Sequence, residues 1–397
     1  MAEQSQFLDA ETAAASLGVS RATLYAYVSR KLIRTREVAG DPRKRLYSAG
    51  DIEVLKTRKK HNRAPGEAAA STLDWGLPVL DSAVTLIEDG ALYFRGREAG
   101  KWAAHASLEE TARLLWDCGD HDPFADPAAL PPAWSDALLA GLRSLPLVER
   151  CQALLLLAPA GRAIMWQRDG RRLWSGAAAL VRAMTAAASN TQPDAAPAHD
   201  HLAQAWSLSQ EGGDRVRRAL ALLADHEFNA SAFAVRVVAS TGTSLGACLN
   251  AGLGALGGPL HGGTTSLVEI FFDEVRSARD AASVIETRLR RGDGVPGFGH
   301  PLYPEGDPRC RALLPLLPPD PVRDEIAAAM LEIAGRLPTI DFALVSLRRA
   351  YGLPPGAALA LFAIGRTVGW IAHALEQSGE GRLIRPRARY VGPPPAA

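Results

Sequence analysis

Three of the chain's nine histidines stand in surroundings that suit chemistry. His226 lies in Asp225-His226-Glu227-Phe228-Asn229-Ala230-Ser231, His261 in Gly258-Pro259-Leu260-His261-Gly262-Gly263, and His300 in Gly297-Phe298-Gly299-His300-Pro301. Each falls at a predicted break between helices. A neutral imidazole there can pass a proton or polarise a carbonyl, and it can equally be a hydrogen-bonded structural group. The stretch from Gly292 to Pro308 holds five glycines and four prolines, so no helix runs through it. Glycines let backbone amides approach a ligand closely, which makes this segment either a binding loop or a surface excursion.

Arginine supplies the complementary chemistry. A predicted helix from Gly356 to Gln377 is apolar around Arg366, which shares a face with Trp370, His373 and Gln377. A guanidinium so placed needs an anionic partner. Arg309 and Arg385 also lie near helix breaks, where each could clamp a small carboxylate or pair with an ordinary Asp or Glu. Asp341, in Pro338-Thr339-Ile340-Asp341-Phe342, reads locally as a helix N-cap or as a free carboxylate.

The elements that must hold these groups are mostly helical. From residue 73 onward, Ala- and Leu-rich runs are punctuated by Gly and Pro with little strand-like alternation. With 397 residues, 47% hydrophobic and 22% charged, the chain fits two or three globular domains rather than a disordered tail or a collagen-like repeat. Uninterrupted apolar runs are too short to cross a membrane, and the first residues lack a signal pattern. A cytoplasmic location is expected. Cys118, Cys151, Cys248 and Cys310 have no spacing that suits a disulfide scaffold or a zinc site, so neither is expected.

The net charge of +1 conceals an asymmetry, because residues 1–64 carry +6 and the remainder −5. A basic module before a mildly acidic body points to a polyanionic partner for one part only. Residues 65–72 form a small, turn-rich linker. Within the basic module an alanine-rich helix ends at Gly18, and Ser20 can cap a second helix. Leu32-Ile33-Arg34 and Arg43-Lys44-Arg45-Leu46-Tyr47 then read as two strands joined through Gly40-Asp41-Pro42, followed by a helix from Ser48 to Lys60. Residues 6–62 resemble the winged helix-turn-helix of the MerR and excisionase type. That resemblance implies that Arg21, Thr23, Tyr25 and Tyr27 face duplex DNA and that Arg43, Lys44 and Arg45 neutralise phosphates. The alternative is a module that docks a partner or another subunit.

The acidic body resembles the citrate synthase family from about residue 78 to 393. The motifs that carry this, in order, are the segments around His226 and His261, Gly297-Phe298-Gly299-His300 with Asp307-Pro308-Arg309, Ile340-Asp341-Phe342, Arg366-Thr367-Val368-Gly369-Trp370-Ile371-Ala372-His373, and Arg385-Pro386-Arg387. Leu92-Tyr93-Phe94-Arg95-Gly96 is similar to that family's opening segment. The resemblance implies a helical homodimer whose large domain (residues 73–262 plus 351–397) and small domain (263–350) close over the site. It implies an acyl-CoA and oxaloacetate as substrates, with no metal and no tightly bound cofactor. Residue by residue, it makes Asp341 the base, His261 the group that stabilises the enolate, and His300 the group that polarises the ketone. His226, Arg309 and Arg366 become oxaloacetate ligands, and Arg385 an arginine reaching into the other subunit's site. Val295-Pro296-Gly297-Phe298-Gly299 becomes the CoA-binding segment.

Two departures stand out. His261-Gly262-Gly263 continues with Thr264-Thr265-Ser266, where many members of the family have Ala-Asn-Glu, and Leu223 stands where a histidine or tyrosine often precedes His226. Glu227-Phe228-Asn229-Ala230-Ser231 is similar to the 2-methylcitrate synthase branch, which uses propionyl-CoA. A regulator whose synthase body only senses acyl-CoA or oxaloacetate is the competing expectation.

Overall fold

The computed structural model describes residues 7–29, 32–38, 41–52, 80–126, 130–158, 170–388 and 390–393. They fall into two compact units, one within 1–81 together with the end of the chain from 387, and one spanning 82–386.

In the first unit, strand β1 (Phe7–Leu8) leads into helix α1 (Ala10–Leu17). Asp9 starts this helix by accepting the backbone N–H groups of Glu11 and Thr12 at 2.9 and 2.8 Å. Gly18, at φ 59°, ends it in the left-handed conformation that a side chain would disfavour. Helix α2 (Arg21–Ser29) follows at once, with the Ser20 hydroxyl accepting from the Thr23 amide. Strands β2 (Thr35–Val38) and β3 (Asp41–Ser48) pair antiparallel, and β3 is central between β1 and β2. The pairing differs from the expected one: Leu32 to Arg34 precede the strand, and Thr35 opposite Tyr47 opens it. One reason is that the Arg34 amide and guanidinium are taken up by the Asp51 carboxylate at 2.7 to 3.1 Å. Ala13, Leu17, Leu24, Ile33, Tyr47 and Ile52 make the small core. The helix expected from Ser48 is seen only as far as Ile52; its remainder and the linker 65–72 lie outside the described residues.

The second unit opens with a small antiparallel sheet, β4 (Thr85–Glu88), β5 (Ala91–Phe94) and β6 (Arg97–Glu98), which the helical expectation for this region did not include. Leu92 and Phe94 alternate inward, so the sheet covers the helical core with one face. Helices α3 (Ala99–Ala103), α4 (Leu108–Leu115), α5 (Asp136–Leu142), α6 (Leu147–Leu157), α7 (Gly170–Ser189), α8 (Ala198–Ala205) and α9 (Gln210–Leu222) follow. Then come α10 (Ala230–Ala239), α11 (Leu245–Leu256), α12 (Thr264–Glu274), α13 (Ala281–Arg290), α14 (Pro308–Leu313), α15 (Pro321–Ala334), α16 (Ile340–Ala350) and α17 (Ala357–Glu380).

Helix α17 is the axis of this unit. It packs against α4, α7, α9, α10, α11, α12 and α16 and is buried around its whole circumference through Ala374. By length and composition it could cross a membrane, which counting uninterrupted apolar runs overlooked because Arg366 divides it. Its most apolar window is 89% buried inside the fold, the behaviour of a core helix. The four cysteines are free and buried.

Candidate active site

The site begins where the turn after α9 lies directly on α17. The Gly369 amide donates to the Ala224 carbonyl at 2.9 Å. A Cβ on Gly369 would stand 2.3 Å from that carbonyl oxygen and from Asp225 Oδ1, and one on Gly365 would stand 2.7 Å from Leu223 Cβ. Only hydrogen at both positions lets residues 223–225 touch the helix. Arg366, between the two glycines, donates from Nε to the Leu223 carbonyl at 3.0 Å. Its Nη2 is buried with no hydrogen-bond partner among the described residues. Behind it, Asp225 pairs with His373, both side chains fully buried. Burial pushes the Asp225 carboxyl up, but His373 and Arg366 outweigh that and hold it below the ordinary carboxylate range.

His226 follows Asp225 and turns its ring edge-on to His300, with ring centres 5.3 Å apart. Its Nε2 lies 2.9 Å from the Tyr303 hydroxyl. Burial, reinforced by Arg309 and Arg366, drives its pKa well below the usual value, so the ring is neutral at pH 7. His300 is lowered to about 4 by burial and then by Arg309. Its Nδ1 accepts the Leu302 amide at 3.2 Å, so the neutral ring carries its proton on Nε2. His261 stands in the turn between α11 and α12, and burial followed by Arg366 lowers it to about 4. The Ser231 hydroxyl meets His261 Nε2 at 2.8 Å, Asn229 Oδ1 at 2.7 Å and the Trp370 indole N–H at 3.1 Å.

The loop containing His300 is pinned to the start of α16. Gly299 donates to the Leu337 carbonyl at 2.9 Å, and Thr339 donates to that of Gly297 at 2.8 Å. Gly297 and Gly299 both adopt positive φ, 86° and 74°. Val295 and Phe298 point into the core and Gly297 is buried against Val268 and Phe342, so Pro296 and Gly299 are the members of the expected CoA segment that are not buried. Asp307 accepts from Arg309 Nε and Nη2 at 3.0 and 2.8 Å and from the Ile340 amide at 3.0 Å. The ordinary ion pair considered for Arg309 is therefore present, and it fastens the guanidinium beside Asp341.

Asp341 is not an N-cap. Thr339 occupies that position, and Asp341 sits within the first turn with a single 3.5 Å contact to the Thr339 hydroxyl. Its carboxylate is not spent on capping because the helix starts two residues earlier than the cap reading requires. Burial raises it to about 6, against the pull of Arg309. His226 feels Arg309, Arg366, His300 and His261, and both arginines feel Asp341, so these six groups share one field.

Arg385 stands apart: it is exposed, and among the described residues it makes no hydrogen bond or ion pair. Sequence reasoning missed Asp225, Ser231, Tyr303 and the pair Gly365 and Gly369. Two glycines one turn apart in an apolar helix, flanking an arginine, were the available signal. Among the described residues no group of three or more His, Cys, Asp or Glu side chains could hold a metal ion.

The candidate DNA residues do not share one face. On α2, Arg21 and Tyr25 are exposed, while Tyr27 packs against the small core and the Thr23 hydroxyl bonds Ser20. The helical period explains this, since residues two apart point to opposite sides. Arg21 also pairs with Glu11 at 3.0 Å. Lys44 and Arg45 are exposed on β3; the Arg43 side chain lies outside the described residues.

Comparison with known proteins bears on the family and the fold. The family model described as "Citrate synthase, C-terminal domain" matches residues 72–387. The chain is similar to putative citrate synthase 2 of Mycobacterium tuberculosis, 41% identical over 184 residues, covering 43% of this chain and 49% of that one. It is similar also to 2-methylcitrate synthase of Shewanella oneidensis, 35% identical over 186 residues, 44% of this chain and 50% of that one. The chain spans about half the length of the curated relatives it matches. Among solved structures, citrate synthase from Thermotoga maritima superposes with a TM-score of 0.66 at 26% identity, over 81% of this chain and 96% of that one. Citrate synthase from Thermoplasma acidophilum, solved as a ternary complex with carboxymethyl coenzyme A and oxaloacetate, superposes with a TM-score of 0.67 at 24% identity over the same shares. A family match over most of its length, on a mainly helical fold, means that the chain belongs to the citrate synthase family.

Proposed function

We propose that the chain condenses a short acyl-CoA with oxaloacetate and hydrolyses the resulting thioester, giving citrate, or 2-methylcitrate from propionyl-CoA, and free CoA. The observation that carries this reading is the buried, unpartnered Nη2 of Arg366 beside neutral histidines and a carboxylate raised to about 6. Such a site receives an anion and holds a base and hydrogen-bond donors around it. The complex described for the Thermoplasma acidophilum protein supports the two substrate types.

In this reading Asp341 removes a proton from the acyl α-carbon. His261 donates its ring N–H to the thioester oxygen. The enol carbon then adds to the ketone, whose oxygen receives the proton from Nε2 of His300. His226, Arg309 and Arg366 hold the oxo acid, and water cleaves the thioester with CoA leaving as thiol. The thioester is a substrate, so no resident cofactor is needed. Backbone atoms of Pro296 and Gly299 would meet CoA. Residues 263–350 form the small domain that closes on the large one. Arg385, without a partner among the described residues, would complete the site of a second copy in a homodimer. Four buried free thiols suit the cytoplasm.

At the replaced tripeptide, the Thr265 hydroxyl closes on the Gly262 carbonyl at 2.9 Å, which supports the His261 turn. The basic module of residues 1–64 would bind duplex DNA through Arg21, Tyr25 and the basic residues of β3. A regulator with a silent synthase body is the second reading, favoured by the Thr264-Thr265-Ser266 departure. Release of thiol from acetyl-CoA or propionyl-CoA, dependent on oxaloacetate, separates the two; no release from either thioester would sink the enzyme reading.

A further inference from the structure

Tyr303 lies at the centre of the oxo-acid site, yet the proposed reaction gives it no part. It is 2% exposed. Its hydroxyl is 2.9 Å from His226 Nε2, its ring centre is 5.0 Å from that of His300, and the Arg309 guanidinium lies 5.9 Å over its face. One side chain thus touches three groups assigned to substrate. Burial, the largest influence on the phenol, raises its pKa and keeps it protonated.

Two arrangements fit the 2.9 Å contact. Either the phenol O–H donates to Nε2, or an Nε2–H donates to the phenol oxygen. A neutral imidazole has one donor and one acceptor nitrogen, so this choice fixes the character of Nδ1. No hydrogen bond engages Nδ1 among the described residues. If the phenol donates, Nδ1 carries a hydrogen and can bond a carboxylate. If it accepts, Nδ1 presents a lone pair that repels an anion. The other groups assigned to the oxo acid are Arg309, Arg366 and the Nε2–H of His300, all cations or donors, so only the first arrangement matches an anionic ligand.

We infer that Tyr303 is a positioning residue whose hydroxyl donates to Nε2 of His226 and holds the Nδ1–H form that an oxo dicarboxylate requires. This rests on the function proposed above. The step involves no bond making beyond hydrogen bonds. Tyr303→Phe keeps the ring against His300 and Arg309 and removes only the lock.

The test is the nitrogen NMR spectrum of the full-length protein labelled with ¹⁵N-histidine, His226 being identified by its loss in His226→Gln. The wild type should show a protonated Nδ1 and a bare Nε2, and Tyr303→Phe should shift the ring toward a mixture. KM for oxaloacetate should rise about tenfold with kcat altered much less, the scale of one hydrogen bond to an anion. A protonated Nε2 in the wild type overturns the inference, as does a Tyr303→Phe variant with unchanged tautomer and KM. Should the wild type show no turnover, the function proposal fails. The spectrum, with calorimetric binding of oxaloacetate to wild type and variant, then still decides the lock.

Discussion

His373 Nε2 lies 3.2 Å from Asp225 Oδ1, and neither side chain reaches solvent. The pair sits behind the oxo-acid site, one residue from His226 and within the field of Arg366. Asp225 offsets part of the Arg366 charge without bonding Nη2, which has no hydrogen-bond partner among the described residues. That arrangement depends on the close approach of residues 223–225 to α17.

Gly369→Ala should break this approach, because the new Cβ would be 2.3 Å from the Ala224 oxygen and Asp225 Oδ1. Backbone must move, at a cost of about 1–3 kcal/mol or more. A fall in the denaturation midpoint together with a loss in kcat/KM for oxaloacetate is expected. A variant as stable and active as the parent would show that the contact positions nothing.

Asp341→Asn and His261→Ala should each lower turnover by at least about 10²- to 10³-fold, the loss expected when a positioned base or a donor to developing negative charge is removed. In the parent, kcat/KM should decline below about pH 6, where Asp341 takes up its proton. Thiol release across pH checks both; near-normal kcat in either variant would refute its assigned role.

The same carboxyl carries a stability cost. Its ordinary pKa is 3.8 and the folded value about 6, so the folded state holds the proton more tightly than the unfolded chain. Its contribution is fully present below pH 3.8 and is lost as pH rises through about 6. Asp341→Asn should therefore be more stable than the parent at pH 8, by on the order of 1–2 kcal/mol once solvent contact with the carboxylate is allowed for. The difference should shrink toward pH 4; chemical denaturation at the two pH values would expose the opposite trend.

For the basic module, affinity of the full-length protein for duplex DNA should fall steeply with salt. Replacing Arg43, Lys44 and Arg45 together by alanine should reduce the slope of log affinity against log salt by up to about three, near one per phosphate contact. Titrations at several salt concentrations measure this. Absence of binding at low salt would leave a docking role.

Much of the site was legible because its chemistry is written in local motifs. His226, His261 and His300 do lie at helix breaks, and Arg366 keeps a buried Nη2 without a hydrogen-bond partner among the described residues. What local patterns cannot express is distance across the chain. Asp225 meets His373 nearly 150 residues later, and Tyr303 meets His226 across four intervening helices. The Asp341 cap reading failed by two residues, within the usual uncertainty of a helix boundary, yet that shift decides whether its carboxylate is taken up in capping. On α2, reading alternate residues as one surface ignored the helical period, which Tyr27 obeys by turning to the core.

The buried cysteines bear on how the chain can be watched. Burial raises Cys118, Cys151 and Cys248 to about 12 and Cys310 higher still, so the folded protein presents almost no thiolate to a disulfide reagent. A chromogenic disulfide can therefore register free CoA against a silent background. Any slow extra colour then reports molecules that have opened far enough to expose their sulfur, so one trace records both catalysis and loss of the native state.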